Sequence, residues 1–243
     1  MSNWAPEVDE LQITSIWSFP NRGSWATHDA SYRGNWSPYV PRNIIKRYSK
    51  RGDVILDAFV GCGTTLVEAK LLQRKSIGID INPAAIVLAK EKLSFRGELE
   101  YEPKLICGDA RNLKFIPSDS IDLICTHPPY ANIIKYSNGI EGDISLCEID
   151  EFLINIKDVS KELFRVLKPN SICAFLIGDM RKNKNVVPLG FRTLQIFEEN
   201  GFILKEVVIK EQYNCKSTPK WQEKSKQYNF LLLAHEYLFI LQK

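Results

Sequence analysis

The sequence predicts an α/β fold, a doubly wound and mostly parallel sheet of seven strands that ends in an antiparallel hairpin. Three observations predict it. From residue 54 onward, short apolar runs alternate with stretches of helical spacing, the order that sets helices on both faces of a parallel sheet. The runs are bounded by Gly, Pro, Asp or Asn, which break strands and open turns. The chain has 243 residues, enough for one large domain with a proper core.

In order, residues 11–43 are rich in aromatics, Gly and Pro with little periodicity, and read as an ordered but irregular arm. A short helix is expected at 43–50, a strand at 54–59, a helix at 65–73, a strand at 76–81 and a helix at 83–95 with Pro83 in its first turn. Further buried strands are expected at 104–107, 121–126 and 172–177. Between the last two, Phe152, Ile156, Val159, Leu163 and Val166 keep helical spacing over 148–167, and Pro169 stops it. A helix at 190–200 is closed by Gly201, and strands at 203–211 and 236–241 end the chain. No repeat or low-complexity linker divides it, so 1–243 is expected to be a single domain, with 1–43 as its arm.

Composition narrows the class. With 44% hydrophobic and 25% charged residues the chain is an ordinary globular protein. Six cysteines without a CxxC pair read as thiols, mostly inside apolar runs, rather than disulfides or a zinc site, and His28 and His235 lack partners at metal-ligand spacing, so no metal is expected. The first residues have neither a basic leader nor an apolar export core, and no run reaches the length of a membrane span; a cytoplasmic protein without a membrane partner is expected. Net charge is only +3, yet residues 22–51 hold seven basic side chains and one acid among several aromatic rings. Such mixtures occur on nucleic-acid surfaces, and also as a solvated helix beside core aromatics.

In doubly wound sheets ligands bind beyond the carboxyl ends of the strands. Here those ends carry polar groups one after another. The first is Asp57-Ala58-Phe59-Val60-Gly61-Cys62-Gly63-Thr64, whose glycines let backbone approach a ligand ahead of a helix N-terminus. The second ends on Asp80-Ile81-Asn82, an acid 23 residues after Asp57, near the spacing of a ribose-binding carboxylate. The third ends on Gly108-Asp109, the fourth on Thr126-His127-Pro128-Pro129-Tyr130, and the fifth on Gly178-Asp179. No Gly-Lys-Ser/Thr follows the first loop, and Leu66 stands where a dinucleotide fingerprint wants its third glycine. What fits is a nucleoside without a pyrophosphate, a description S-adenosyl-L-methionine meets.

The stretch LDAFVGCGTTLVEAK resembles the cofactor motif of amino-methylating DNA methyltransferases, and THPPY resembles their catalytic motif, where Asp, Asn or Ser precedes Pro-Pro-aromatic. YRGNWSPYVPRNIIKRYSKRGD, GIDINPAA, RVLKPNS and HEYLFILQK extend the resemblance over most of the chain. Cofactor motif before catalytic motif is similar to the gamma order, and the type looks closest to the N4-cytosine enzymes. The resemblance implies a Rossmann-like class I methyltransferase and a double-stranded DNA substrate with a flipped base. It admits a cognate restriction endonuclease as partner and leaves the oligomeric state open. It places Asp57 near the methionine amino end beside Phe59, Gly61, Gly63 and Thr64, Asp80 with Asn82 at the ribose, Asp109 at the adenine amine, and Trp36, Ser37 and Pro38 against the methionine part.

The target amine is a poor nucleophile because its lone pair is spread into the base ring. Two acceptors aimed at its N–H bonds favour a nitrogen whose lone pair points at the methyl group. The Pro128 carbonyl, mounted on the rigid Pro128-Pro129 corner, is expected to be one acceptor, and Tyr130 a stacking surface for the base. The resemblance makes His127 the second acceptor, a departure from the usual Asp, Asn or Ser. Only a neutral imidazole can accept, so activity is expected to fail on the acid side near the ordinary histidine value of about 6.5. The alternative assigns this work to Thr126 or to backbone.

The polar insertion at 210–229, with Lys216, Lys220, Lys224, Lys226, Trp221 and Tyr228, and the segment 131–147 are the stretches expected to meet DNA; no separate target-recognition domain is visible. Rival readings are adenine N6 as the target, a tRNA guanine-N2 methyltransferase, and a non-catalytic binding subunit.

Overall fold

The chain runs through β1 (Ile16–Trp17), α1 (Tyr39–Tyr48), β2 (Val54–Asp57), α2 (Thr64–Leu71), β3 (Lys75–Asp80), α3 (Pro83–Lys92), β4 (Lys104–Cys107) and β5 (Ile121–Thr126). It continues through α4 (Ile149–Val166), β6 (Leu167–Ile177), β7 (Met180–Lys182), β8 (Asn185–Val187), α5 (Leu189–Glu199), β9 (Ile203–Glu211), α6 (Thr218–Tyr228) and β10 (His235–Gln242). The structure, a computed structural model, describes residues 4–7, 9–95, 100–213 and 218–243.

One sheet has the order β1-β9-β10-β6-β5-β2-β3-β4, parallel except where β10 runs antiparallel to both β6 and β9. Its central strands are buried on both faces, as parallel strands are. In β6 the alternation is plain: Ile172, Ala174 and Leu176 join Val40, Ile44 and Ile45 of α1 on one face. Cys173, Phe175 and Ile177 join Phe152, Ile156 and Leu163 of α4 on the other. From β2 the chain winds outward through β3 and β4, then returns to β5 and winds the other way. The gap between β2 and β5 is therefore the switch point at which such sheets open a ligand crevice.

The predicted α/β class and terminal antiparallel pair are present, with several differences in detail. The sheet has eight strands rather than seven, because two arm residues pair with β9 (Ile16 with Ile209, Trp17 with Lys210) while Trp17 is buried. The helix expected at 43–50 starts four residues earlier, at Tyr39. The expected 148–167 helix ends at Val166; Leu167 already pairs with Ile121, and an irregularity before the next paired position absorbs Pro169 and Asn170, whose φ is +62°. A separate β7–β8 hairpin follows Gly178 where no strand is expected. The insertion expected at 210–229 contains a helix, α6, and Lys216 lies outside the described residues. Of the cysteines expected as buried thiols, Cys62, Cys125 and Cys173 are buried, Cys147 is half-buried and Cys107 is exposed, while Cys215 lies outside the described residues. Among the described residues no helix is long and apolar enough to cross a membrane.

The arm is tied down through a single acid. Glu68 of α2, fully buried, accepts from Trp25 Nε1 at 2.7 Å and from Arg42 Nη1 at 2.8 Å, and lies 2.7 Å from His28 Nε2. Arg22 donates to the Asn35 and Trp36 carbonyls, Arg47 to Gln12 O and Arg51 to Glu100. The basic run at 22–51 is thus largely engaged within the molecule and is not a continuous polyanion surface.

Candidate active site

Strand β2 delivers Asp57 to the switch point. Gly61 (φ +49°) and Gly63 (φ +88°) then turn the chain through the left-handed region that glycine tolerates, so that α2 can start at Thr64. Asp57 is 2% exposed and held on every side: Phe59 N and Thr126 Oγ1 donate to Oδ1 at 3.1 and 2.8 Å, and Thr65 Oγ1 to Oδ2 at 2.5 Å. Burial raises its carboxyl to about 6 against the pull of those donors. Strand β3 ends on Asp80, which accepts Gly61 N at Oδ2 and Asn82 N at Oδ1, both at 2.9 Å. Burial raises this carboxyl too. Beyond β4, Asp109 is gripped by Arg111, whose Nε lies 3.0 Å from both carboxylate oxygens.

Strand β5 ends on the proline corner. Thr126 turns its hydroxyl back to Asp57. The His127 ring stacks on Trp36 at 5.3 Å between centroids and 22° between planes. Burial, with Lys210 and Arg22 nearby, lowers its pKa to about 4, so the ring is neutral at pH 7. The ordinary value of about 6.5 expected for this ring therefore does not hold. Among the described residues the Pro128 carbonyl accepts no hydrogen bond. The chain leaves through Ala131, a fully buried residue with φ +47°, the kind of backbone strain that surrounding packing must enforce. Tyr130 fits only because residue 178 is glycine, where an added Cβ would lie 2.9 Å from the Tyr130 ring.

These strand ends line a cleft that opens to solvent. Asp57, Phe59, Gly61, Thr64, Asp80, Asp109, Trp36, His127 and Pro129 line it. Gly63, Thr126, Pro128 and Tyr130 stand behind that surface, as do Ser37, which donates to Arg22 O, and Pro38. Asn82 is also behind it: its side chain caps α3 by accepting Ala84 N, and donates to Tyr136 O. Several lining residues were not anticipated, and Tyr32, Tyr136, Asp143 and Ile144 are among them. Tyr32 lies against Gly61 and stacks with Tyr136 at 6.0 Å, while Asp143 and Ile144 close the far wall. Behind Tyr130 stands another unanticipated pair, Glu236 and Lys210.

A family model described as DNA methylase matches residues 2–91 and 121–243. The chain belongs to the DNA methylase family. A second model, an RMKL-like methyltransferase domain, matches 47–141. Among curated relatives of this methylase chain, the type II beta methyltransferase M.BslI of Bacillus sp. (strain NEB-606) is 29% identical over 58% of this chain and 16% of its own length. The type II methyltransferase M2.DpnII of Streptococcus pneumoniae is 34% identical over 37% of this chain and 34% of its own. A tRNA (guanine(10)-N2)-dimethyltransferase of Methanothermobacter thermautotrophicus is 36% identical over 41% and 29%. The methylase chain thus spans about a third or less of these relatives. Among solved structures, TrmN of Thermus thermophilus superposes with TM-score 0.56 at 19% identity, over 87% of this chain and 50% of that one. An S-adenosylmethionine-dependent methyltransferase of Methanosarcina mazei gives 0.57 at 18%, over 82% and 96%. These likenesses establish the class I methyltransferase fold.

The family implies S-adenosylmethionine, and the methylase cleft has the donor set to suit it. Four carboxylates (Asp57, Asp80, Asp109 and Asp143) line it, and among the described residues no Lys or Arg does. That suits a cationic, hydroxyl-bearing nucleoside and disfavours a pyrophosphate.

Proposed function

We propose that this chain methylates the exocyclic amine of a base flipped out of duplex DNA, cytosine N4 in particular, with S-adenosylmethionine as donor. The observation that carries the reading is the meeting, at the switch point, of a carboxylate-lined cleft with the His127–Pro129 edge of the proline corner. Asp80 receives the ribose hydroxyls, Asp109 the adenine amine and Asp57 the methionine ammonium, while Gly61, Gly63 and Thr64 shape the loop beside them. When bound, the cofactor supplies an electrophilic methyl group on a sulfonium.

The protein's own groups then prepare the amine. The Pro128 carbonyl and His127 accept its two N–H bonds, which draws the lone pair out of conjugation, and neutral His127 takes the proton that the nitrogen sheds. Tyr130 borders the base. The described side chains of α6, with Trp221 exposed and Lys224 4.9 Å from its ring, belong to the face that meets the DNA backbone, together with the β7–β8 hairpin. Arg181 joins the two by donating to Leu231 O and covering the Phe230 ring. Labelled methyl groups carried from cofactor to duplex DNA, and resistant to ribonuclease, are the expected result. Label confined to structured RNA supports the second reading, which the likeness to a tRNA guanine-N2 enzyme favours.

Two pH limits separate the cofactor site from the amine site. Asp57 ionises above about 6, so cofactor affinity is expected to fall by up to about tenfold per pH unit below that point. Turnover at saturating cofactor is expected to persist until His127 charges near 4. Calorimetric titration between pH 8 and pH 5 checks the first, and initial rates at saturating cofactor carried down to about pH 3.5 check the second.

A further inference from the structure

A chain of short hydrogen bonds leads away from His127. His127 Nε2 lies 2.7 Å from Tyr130 Oη, Tyr130 Oη lies 2.7 Å from Glu236 Oε1, and Lys210 Nζ donates to Glu236 Oε2 at 2.8 Å. Glu236 is 7% exposed and comes from β10, whereas Lys210 comes from β9. The reading of the site assigns neither residue a part. A buried glutamate facing a proline corner across the sheet, with an ammonium held behind it, has more order than packing of an edge requires.

The direction of every bond follows from proton counting. An ammonium only donates and an ionised carboxylate only accepts. Burial alone would raise the Glu236 carboxyl, but Lys210 holds it below the ordinary range, so it carries no proton at pH 7. Tyr130 therefore gives its single hydroxyl proton to Glu236 Oε1. Its oxygen can then only accept, so His127 Nε2 must be the nitrogen that bears hydrogen. The other ring nitrogen, Nδ1, is left with a free lone pair and, among the described residues, no hydrogen-bond partner.

We propose that Lys210 and Glu236, acting through Tyr130, lock His127 in its Nε2–H tautomer and so present Nδ1 as the acceptor for the substrate amine. The proposal rests on the reading of His127 as an amine acceptor and adds which nitrogen does it and what selects it. Glu236 and Lys210 are positioning residues: they touch neither substrate nor cofactor. Their effect is large because the wrong tautomer would aim an N–H at the N–H of the amine, replacing an attraction by a repulsion. Stacking on Trp36 fixes the ring plane, and a half-turn within that plane would break the 2.7 Å bond between Nε2 and Tyr130, so the tautomer is not corrected by turning the ring.

The test uses the full chain labelled with ¹⁵N at its three histidines, with the His127 signals identified by their loss in His127→Asn. At pH 7 the wild type is expected to show a protonated Nε2 and an unprotonated Nδ1. In Glu236→Gln, a near-isosteric change, Lys210 claims the amide oxygen and the NH₂ group turns to Tyr130. Tyr130 must then donate to Nε2, and the proton is expected to move to Nδ1. Turnover should fall by about 10²-fold while cofactor affinity stays unchanged. A wild-type His127 protonated at Nδ1, or a tautomer indifferent to Glu236→Gln, overturns the proposal. A reversed tautomer with normal turnover upholds the relay and removes His127 from the chemistry. Should the variant fail to fold, the wild-type spectrum decides alone.

Discussion

Replacing His127 by alanine is expected to lower methyl transfer by about 10²–10³-fold, the usual effect of deleting one pre-aligned group that stabilises a transition state. Cofactor binding should survive, because the carboxylates assigned to the cofactor stand on other strands. His127→Asn, which keeps an acceptor oxygen, should retain more activity than alanine at equal stability. Turnover measured at saturating cofactor and DNA, beside calorimetric binding of the cofactor, separates the two effects. Near-normal turnover in the alanine variant would shift the second acceptor to backbone, since the Thr126 hydroxyl already faces Asp57 at 2.8 Å.

Glu68→Ala is expected to be the most destabilising single change in the arm. It strips a fully buried carboxylate from Trp25, His28 and Arg42 together. Breaking a buried ion pair from one side costs about 3–5 kcal/mol, and here about 3, because the half-exposed Asp9 still holds Arg42 Nε at 2.6 Å. At 2–4 °C per kcal/mol for a chain of this size, the melting temperature should fall on the order of 10 °C. Cofactor affinity should weaken as well, since Tyr32 and Trp36 on the same arm wall the cleft. Glu68→Gln, which keeps an acceptor, should lose less. An unchanged melting curve for the alanine variant would mean that the arm is held by its apolar contacts alone.

Much of the fold was legible because its signals are local. The ends of β4, β5 and β9 stand where the apolar runs end. Parallel strands must be apolar on both faces, so polar residues at their carboxyl ends stand out. The failures occur where an element depends on a distant partner. β1 is two residues long and exists through β9, nearly 200 residues later. The β7–β8 hairpin turns on Asn183 and Lys184, both at positive φ as a tight hairpin requires, but lysine does not announce that conformation. The start of β6 was hidden because Leu163, Val166 and Leu167 continue a helical stripe. α6 was missed for the opposite reason, having no apolar stripe to show.

The site divides in the same way. Asp57, Asp80, Asp109 and His127 could be found because each follows an apolar run in sequence. Tyr32, Tyr136 and Asp143 reach the cleft from loops, and only folding brings them together. Glu236 did leave one signal, an acid at the head of the apolar run 237–241 of β10. Its meaning required Lys210 on β9 and Tyr130 beyond β5, neither of which sequence spacing could place beside it.

The proposed function requires the proline corner to present acceptors to an exocyclic amine of DNA, cytosine N4 in particular. The most direct measurement is to incubate the protein with labelled S-adenosylmethionine and duplex DNA of mixed sequence, digest the DNA to nucleosides and identify the labelled product by mass spectrometry. N4-methylcytosine is the product expected; N6-methyladenine, or label recovered only from RNA in a parallel reaction, would contradict it.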